Sequence, residues 1–288
     1  MLSRRAFVLG ATALVSNRAQ GEVEYARVIP RPLAFPRDHG AHPEYRTEWW
    51  YLTGWLDSPN AVGQTPLGFQ VTFFRVSTTI DPANPSAFAA KQLVIAHAAI
   101  ADPARGALLH DERLARTGFG AASVSNEDTD VVLDRWRLVR SPQNGAYRCV
   151  VPARGFTLEF DAQPVQPLLL QGDAGYSRKG PLPAQASYYY SQPQLQVRAR
   201  LMRDSVNGGK TEERTGHGWL DHEWSSTLLA DDAAGWDWIG MNLDDGSALT
   251  AFSIRRQNSA VNPAPLYAYA SLRPRGDTVR TFGAREVR

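Results

Sequence analysis

The sequence Arg46-Thr-Glu-Trp-Trp-Tyr-Leu-Thr-Gly-Trp-Leu56 contains three of the eight tryptophans of the chain. In a β-strand successive side chains alternate between faces, so Glu48 and Trp50 would share one face. Trp49 and Tyr51 would share the other. Both faces are then apolar, whereas a strand of a half-solvated sheet has one polar face. We therefore predict a strand that is covered on both sides, by a barrel or sandwich core and by a second layer.

Glu48 is the one carboxylate among the apolar side chains of this predicted strand. Burying a carboxylate costs several kcal/mol unless it is paired, hydrogen-bonded or protonated. Two interpretations remain open from the sequence. Glu48 forms an ion pair with a neighbouring arginine such as Arg46 or Arg75, or it belongs to a binding site.

The rest of the chain has the pattern of an antiparallel β-protein. Short apolar and aromatic runs, such as residues 67–76, are separated by turn signals about every ten residues. No stretch sustains an apolar helical period over three turns with caps. The pattern predicts an antiparallel barrel or sandwich. Residues 163–185 are interrupted repeatedly by proline and glycine, which indicates a domain junction.

Charge and cysteine content argue against a nucleic-acid-binding protein and against a protein stabilised by internal disulfides. The net charge is +2 and the arginines are scattered, so the chain lacks the basic footprint of a nucleic-acid-binding protein. Cys149 is the only cysteine and cannot form an internal disulfide. Stability must then come from the apolar core, even in an oxidising compartment.

The first residues have the form of a twin-arginine export signal. Ser3-Arg-Arg-Ala-Phe-Val-Leu9 precedes an uncharged stretch that ends near Asn17. A short basic and apolar start could also be an uncleaved anchor, but this run is far below the ~20 residues that span a bilayer. We expect a signal peptide over residues 1–20, a periplasmic or secreted protein, and no integral membrane segment in the mature chain.

A loop upstream of Glu48 carries side chains that metals use as ligands. Asp38, His39, His42 and Glu44 lie within seven residues of one another. Imidazole and carboxylate could hold zinc or iron. However, two histidines three residues apart are not held on one face outside a helix, and the glycine and proline here indicate a loop. We predict no metal site.

The densest group of ionisable side chains is His217-Gly-Trp-Leu-Asp-His-Glu-Trp224. On a strand Asp221 and Glu223 share a face, and if both are buried their repulsion raises one pKa, as a general acid requires. With His222 they are candidate acid–base residues. The alternative is a salt-bridge network that joins two barrels. The chain contains no Gly-x-Ser-x-Gly motif, so a serine nucleophile is not indicated.

Several motifs resemble those of the AttH group of secreted lipocalin-like proteins, relatives of carotenoid 1,2-hydratases and of some fungal Diels–Alderases. The resemblance covers residues 35–273. It implies two lipocalin-like β-barrels in tandem, an apolar ligand and no cofactor. Its motifs are Phe35-Pro-Arg-Asp-His-Gly-Ala-His-Pro-Glu-Tyr-Arg-Thr-Glu-Trp-Trp-Tyr-Leu-Thr-Gly54, Gly68-Phe-Gln-Val-Thr-Phe-Phe-Arg75, Leu170-Gln-Gly-Asp-Ala-Gly-Tyr-Ser177, Tyr188-Tyr-Tyr-Ser191 and Trp219-Leu-Asp-His-Glu-Trp-Ser-Ser226.

This resemblance leads to a division of the chain. We expect a first barrel over residues 34–165, a linker over 166–186 and a second barrel over 187–288. The chain departs from the family pattern in two places, one at the candidate acid–base residues and one at the C-terminus. The hydratases tend to have Asp-His-Asn-Trp where this chain has Asp-His-Glu-Trp, and family members usually continue for some dozens of residues beyond Arg288. A truncated second barrel is therefore one expectation, and a barrel that closes by itself is the other.

Two functions follow as hypotheses. The first is a hydratase-like or hydrolase-like enzyme with Asp221, His222 and Glu223 as catalytic residues. The second is a non-catalytic carrier that presents an apolar ligand to an ABC-transporter complex, which export favours. In both, we expect carboxylates of the two barrels to share one aromatic pocket near the junction. The predicted ligand-binding residues are Glu48, Trp50, Tyr51, Gln70, His97, Trp219 and Trp224.

Overall fold

The computed structural model describes residues 23–57, 65–203, 211–227, 229–257 and 264–286. The predicted signal peptide, residues 1–20, lies outside them. The described chain is almost entirely β-structure, with one 3₁₀ helix at Arg37–His39. The strands are β1 (Thr47–Asp57), β2 (Leu67–Ser77), β3 (Gln92–Asp102), β4 (Ala107–Arg116), β5 (Ala122–Val124), β6 (Asp130–Leu133), β7 (Trp136–Arg140), β8 (Tyr147–Ala153), β9 (Phe156–Pro164), β10 (Leu169–Leu170), β11 (Tyr176–Arg178), β12 (Ala186–Arg203), β13 (Thr211–Ser225), β14 (Ala233–Asn242), β15 (Ala248–Arg256), β16 (Tyr267–Arg273) and β17 (Arg280–Gly283).

Thirteen of these strands form one antiparallel sheet that curls into a nearly closed barrel. Its order is β4-β3-β2-β1-β13-β12-β9-β8-β7-β6-β5, with β10 and β11 paired to β12. The two ends of the sheet approach each other, because β3 and β4 contact β5 and β6. The prediction of an all-β barrel fold is therefore confirmed.

The strand β1 lies in the middle of this sheet, between β2 and β13. Glu48, Trp50 and Leu52 alternate on its inner face and are fully buried in the barrel core. Trp49 and Tyr51 point the other way and are half-buried. As predicted, the second face is covered too, since Tyr51 packs edge-on against Trp238 of β14.

The second sheet has the order β14-β15-β16-β17 and packs over the outside of the barrel, where β14 contacts β12 and β13. β16 is paired on both sides, with β15 and β17. Phe252, Ile254 and Tyr269 form its small apolar core. Among the described residues the second predicted barrel is therefore a four-stranded sheet that relies on the large barrel for cover.

The predicted domain boundary at residue 187 does not coincide with the boundary between the two sheets. β12 and β13, which the sequence assigned to the second barrel, pair with β9 and β1 and belong to the large sheet. The break comes after β13. The prolines and glycines of 163–185 mark a segment whose short strands β10 and β11 pair with β12. No helix in the part of the chain that the structure describes is long and apolar enough to cross a membrane.

Candidate functional site

The side chains of β13 divide the ionisable residues between two environments. In the register with β1, Trp224 is opposite Glu48 and His222 is opposite Trp50, so these four face the barrel interior. Asp221 is opposite Tyr51 and Glu223 is opposite Trp49. These residues face outward, toward the second sheet. The chain thus builds one polar cluster inside the barrel and another outside it.

Glu48 is the centre of the inner cluster and is fully buried. Its Oε2 accepts hydrogen bonds from Arg75 Nε at 2.9 Å and from the backbone N–H of His42 at 2.9 Å. Its Oε1 contacts His42 Nδ1 at 2.7 Å and His222 Nε2 at 2.9 Å. The ion pair with Arg75 that the sequence allowed is therefore present. Four donors satisfy the buried carboxylate.

His42 carries the second positive charge of the cluster. Its Nε2 lies 3.1 Å from Asp38 Oδ1 while its Nδ1 faces Glu48, so both ring nitrogens donate to carboxylates and the ring is an imidazolium. Burial alone would lower the pKa of His42, but the hydrogen bonds to Asp38 and Glu48 outweigh burial and raise it. Trp224 stacks on this ring with centroids 3.8 Å apart, which places a cation on an indole face.

The same hydrogen bonds act on the two carboxylates. Burial would raise the pKa of Glu48, but donation from His222 and His42 holds it well below its usual range. Burial likewise opposes ionisation of Asp38, and His42 and Arg31 overcome it. Arg75 and His42 compensate Glu48, and His42 and the partly exposed Arg31 compensate Asp38. The inner cluster is a compensated ion-pair network.

A chain of neutral groups leads away from Glu48. Since His222 Nε2 donates to Glu48, its Nδ1 must accept from the Tyr190 hydroxyl at 3.0 Å. That hydroxyl lies 2.9 Å from His39 Nδ1 and accepts from it. Burial lowers the pKa of His39 to about 3 and also lowers the pKa of His222. Both histidines are uncharged at neutral pH.

The ligand atoms of His42, Glu48 and His222 lie within 4.8 Å of one another, close enough to test as a metal site. Two ligands of one zinc ion, each ~2.0 Å from it, lie about 3.3 Å apart in a tetrahedral site. The two histidine nitrogens approach Glu48 Oε1 to 2.7 and 2.9 Å, as hydrogen bonds do. Both nitrogens are donors here, whereas a metal needs their lone pairs. The donor set fits the hydrogen-bonded network and not a metal ion.

The outer face of β13 borders a cavity between the two sheets, with a volume of about 370 Å³. We call it the inter-sheet cleft. This volume is in the range of small-molecule sites. Its walls are mainly aromatic, and its residues are Thr47, Trp49, Tyr51, Gln70, Thr72, Phe74, Tyr189, Asp221, Glu223, Trp236 and Trp238. A narrower recess beyond Glu223 is lined by Lys179, Ser187, Leu229, Phe252 and Ile254.

Asp221 is the buried acid of the cleft. Its Oδ1 accepts from Ser191 Oγ at 2.6 Å and from Trp219 Nε1 at 2.7 Å. Burial raises the pKa of Asp221 to about 7, and the charge of Glu223 adds to this, although hydrogen bonds from Ser191, Trp219 and Tyr189 oppose it. A substantial fraction of this carboxyl is therefore protonated near neutral pH.

Glu223 has a different environment two residues away. Lys179 Nζ lies 2.9 Å from its Oε1, and Ser187 Oγ donates to the same oxygen at 2.5 Å. The ammonium group of Lys179 also sits over the rings of Tyr189 and Phe252, at 4.6 and 4.1 Å. A carboxylate paired with Lys179 and a carboxyl of raised pKa thus share one cleft.

The structure separates the residues that the sequence grouped in one pocket. Asp221, Glu223, Tyr51 and Gln70 line the cleft, and Trp219 supports Asp221 from below. His97 is not among the lining residues and packs beside Phe74, with ring centroids 5.6 Å apart. The remaining predicted residues, Glu48, Trp50, His222 and Trp224, face the barrel interior. The prediction of one shared pocket is wrong. The β1–β13 register places Glu48 on the same face of the sheet as His222, and therefore on the opposite face from Asp221 and Glu223.

Sequence reasoning missed several residues of the cleft. Trp236 and Trp238 lie on β14 at alternate positions, a signal that the sequence contains. Tyr189 and Ser191 fall within the Tyr-rich motif that carried the family resemblance. Lys179 could not be found from the sequence, because the segment between β11 and β12 has no regular pattern.

A model of the AttH-like family matches residues 27–288. The chain belongs to the AttH-like family. This AttH-like protein is similar to a protein from Nitrosomonas europaea that is described as an AttH and whose crystal structure is known. The two share 49% sequence identity over 90% of this chain and 75% of that chain, with a TM-score of 0.80. No curated protein matches the sequence.

Two more distant solved structures share the fold. Kievitone hydratase from Nectria haematococca has a TM-score of 0.62 at 12% identity, over 88% of this AttH-like chain and 68% of the hydratase. CghA with Sch210972 has a TM-score of 0.50 at 13% identity, over 80% of this chain and 58% of CghA. At these identities the comparison concerns the fold alone.

Proposed function

We propose that this AttH-like protein binds an uncharged apolar alkene in the inter-sheet cleft and adds water to it by acid–base catalysis without a cofactor. The observation that carries the proposal is Asp221, a buried carboxyl whose pKa burial raises to about 7, in a cavity walled mainly by aromatic rings. A neutral carboxylic acid near pH 7 is the group that protonation of a carbon–carbon double bond requires.

The first step uses Asp221 as the acid. Its proton moves to one carbon of the double bond, which leaves a carbocation on the other carbon and a carboxylate on Asp221. Trp49, Tyr51 and Trp238 line the cleft, and the π face of an aromatic ring stabilises a neighbouring cation.

The second step uses Glu223 as the base. This carboxylate is held by Lys179 and Ser187 and borders both the cleft and its recess. It can orient a water molecule toward the cation and accept the proton that the water loses on forming the C–O bond. A proton then returns from Glu223 to Asp221 through solvent, so the reaction consumes one water and leaves the protein unchanged.

The fold is compatible with this chemistry. A protein of the same fold is named a hydratase that acts on kievitone. At 12% identity the name does not carry over to this chain. It supports the proposal only in that the fold can house a hydration site.

The test is incubation of the purified protein with isoprenoid alkenes in H₂¹⁸O, with products read by mass spectrometry. The wild type should yield a product with one added ¹⁸O-labelled water. Asp221→Asn should abolish it, because an amide cannot supply the proton. A labelled product that forms equally with Asp221→Asn would contradict the assignment of the acid.

The second candidate is a carrier for the same class of ligand, in an exported protein that works with an ABC-transporter complex. The apolar lining of the cleft and the twin-arginine pattern of the first residues support it. The two functions differ in one measurement. A carrier would retain an unmodified apolar molecule through purification, detectable by native mass spectrometry, and Asp221→Asn would leave that retention intact.

A further inference from the structure

Four fully buried polar side chains connect the two sheets beneath Asp221. They are Ser191 on β12, Gln171 between β10 and β11, Thr250 on β15 and Ser271 on β16. Gln171 is the hub. Its Nε2 donates to Ser191 Oγ and to Thr250 Oγ1, both at 2.9 Å, and its Oε1 accepts from Ser271 Oγ at 3.0 Å.

The direction of these hydrogen bonds determines what Ser191 can do. An amide nitrogen only donates, so Ser191 receives a hydrogen bond from Gln171 and its own hydroxyl hydrogen is free for another acceptor. That acceptor is Asp221 Oδ1 at 2.6 Å. If the amide of Gln171 were reversed, the hydroxyl of Ser191 would have to donate to Gln171 and could not donate to Asp221. In the orientation described, Thr250 accepts from Nε2 and Ser271 donates to Oε1, so both ends of the Gln171 amide are hydrogen-bonded.

Trp219 adds a second donor to the same oxygen. An indole N–H cannot accept a hydrogen bond, and Trp219 Nε1 lies 2.7 Å from Asp221 Oδ1. With two donors aimed at Oδ1, a proton on that oxygen would oppose both. The proton of the neutral carboxyl then resides on Oδ2, the oxygen to which neither Ser191 nor Trp219 donates.

We propose that Gln171 is a positioning residue of the site, which acts through Ser191 to fix the acidic proton of Asp221 on Oδ2 and links this arrangement to the second sheet. The inference rests on the proposed function for its catalytic meaning. The hydrogen-bond coupling itself can be measured without a substrate. The second sheet then has two roles, as a wall of the cleft and as the support that orients the acid.

The test is a double-mutant cycle on Ser191 and Gln171, read as the titration of Asp221 by carboxyl infrared difference spectroscopy against Asp221→Asn. Ser191→Ala removes a donor to the ionised form, so proton affinity should rise on the order of tenfold. Gln171→Leu should shift the titration in the same direction. In the Ser191→Ala background, Gln171→Leu should produce no further shift, because its effect passes through Ser191. Ser191→Thr, which retains the hydroxyl, should restore the wild-type titration.

Gln166→Leu is the matched control, since Gln166 also bridges the sheets, through Gly246, but does not contact Ser191 or Asp221. It should leave the titration of Asp221 unchanged. If Gln171→Leu does not fold, Thr250→Val and Ser271→Ala release Gln171 without removing it and should give smaller shifts that vanish in the Ser191→Ala background. An unchanged titration in folded variants, or shifts that simply add, would overturn the inference. If Gln171 and Ser191 are coupled in the titration of Asp221 but the protein hydrates no alkene, the positioning role of Gln171 stands and the hydratase proposal is rejected.

Discussion

Asp221 and His222 are consecutive residues of β13 whose side chains project to opposite faces of the large sheet, one into the inter-sheet cleft and one into the barrel. Burial acts on both in the same physical sense, by opposing the charged form. It raises the pKa of Asp221 to about 7 and lowers the pKa of His222. The two neighbours therefore respond to pH in separate networks, which makes them separable by mutation.

We expect Asp221→Asn to stabilise the protein at pH 8 and much less at pH 4. The folded pKa of Asp221, about 7, lies above the unfolded value near 3.9. Stability from proton binding is thus complete below pH ~4 and is lost toward pH ~7, by at most about 1.4 kcal/mol per pH unit. The asparagine keeps an acceptor for Ser191 and Trp219 but does not titrate. Urea unfolding at both pH values measures the difference.

Asp237→Asn is the control for this experiment, because Asp237 is exposed and paired with Arg255 at the surface. It should shift stability by less than about 0.5 kcal/mol at either pH. If the free energies of unfolding of the wild type and Asp221→Asn run parallel between pH 4 and 8, the raised pKa of Asp221 is not a property of the folded protein.

Glu48→Gln should destabilise the fold by about 3–5 kcal/mol at pH 7. The change leaves Arg75 and the imidazolium of His42 buried without the carboxylate that compensates them. Glu213→Gln, at an exposed ion pair with Arg200, should cost less than about 1 kcal/mol. Chemical denaturation provides both values. A loss at Glu48 no larger than that at Glu213 would show that the inner network contributes little to stability.

His39→Gln should make the protein less sensitive to acid. The folded pKa of His39, about 3, lies below the unfolded value near 6.5, so the unfolded state binds more protons between these pH values. The wild type then loses stability from this residue as pH falls through that window, at up to about 1.4 kcal/mol per unit. The variant, whose amide can still donate to Tyr190, should have a smaller slope of unfolding free energy between pH 4 and 6. Equal slopes would exclude a buried neutral His39.

Phe74→Ala should weaken binding of an apolar fluorescent probe to the cleft by about fivefold, as expected for the loss of one aromatic contact worth ~1 kcal/mol. Phe74 lines the cleft, whereas Phe88 is 76% exposed and does not. Phe88→Ala is therefore the matched control and should bind as the wild type does. Probe titration followed by tryptophan quenching distinguishes the two, since Trp49, Trp236 and Trp238 line the same cavity. Equal loss in both variants would place the probe elsewhere.

The alternation in β1 was sufficient to predict its two covered faces, because the side-chain period of a strand is a local property of the sequence. The ion pair between Glu48 and Arg75 was also among the alternatives that the residues allowed. The sequence did not predict which side chains of β13 share a face with Glu48. A shift of one residue in register exchanges the two faces of a strand, and that register is set by pairing across more than 150 positions of chain, as between Tyr51 and Asp221.

The contacts of Lys179 and Gln171 lay beyond sequence reasoning for a related reason. Both residues come from the irregular segment before β12, where proline and glycine suppress any period. Their roles depend on the path of the backbone, which is itself held by contacts with the second sheet such as the Tyr269 hydroxyl bond to Gly172. Sequence patterns identify strands well and say little about such connections.

The two-sided use of β13 has a consequence for how proteins of this architecture can diversify. Positions 219, 221 and 223 lie on the opposite face of β13 from the buried network of Glu48, Arg75 and His222, so they can be exchanged without touching that network. A lineage could therefore try new acids, bases or purely apolar linings on the outer face while its foundation stays intact. Alternation along one strand thus allows the kind of variation that proteins more often confine to loops.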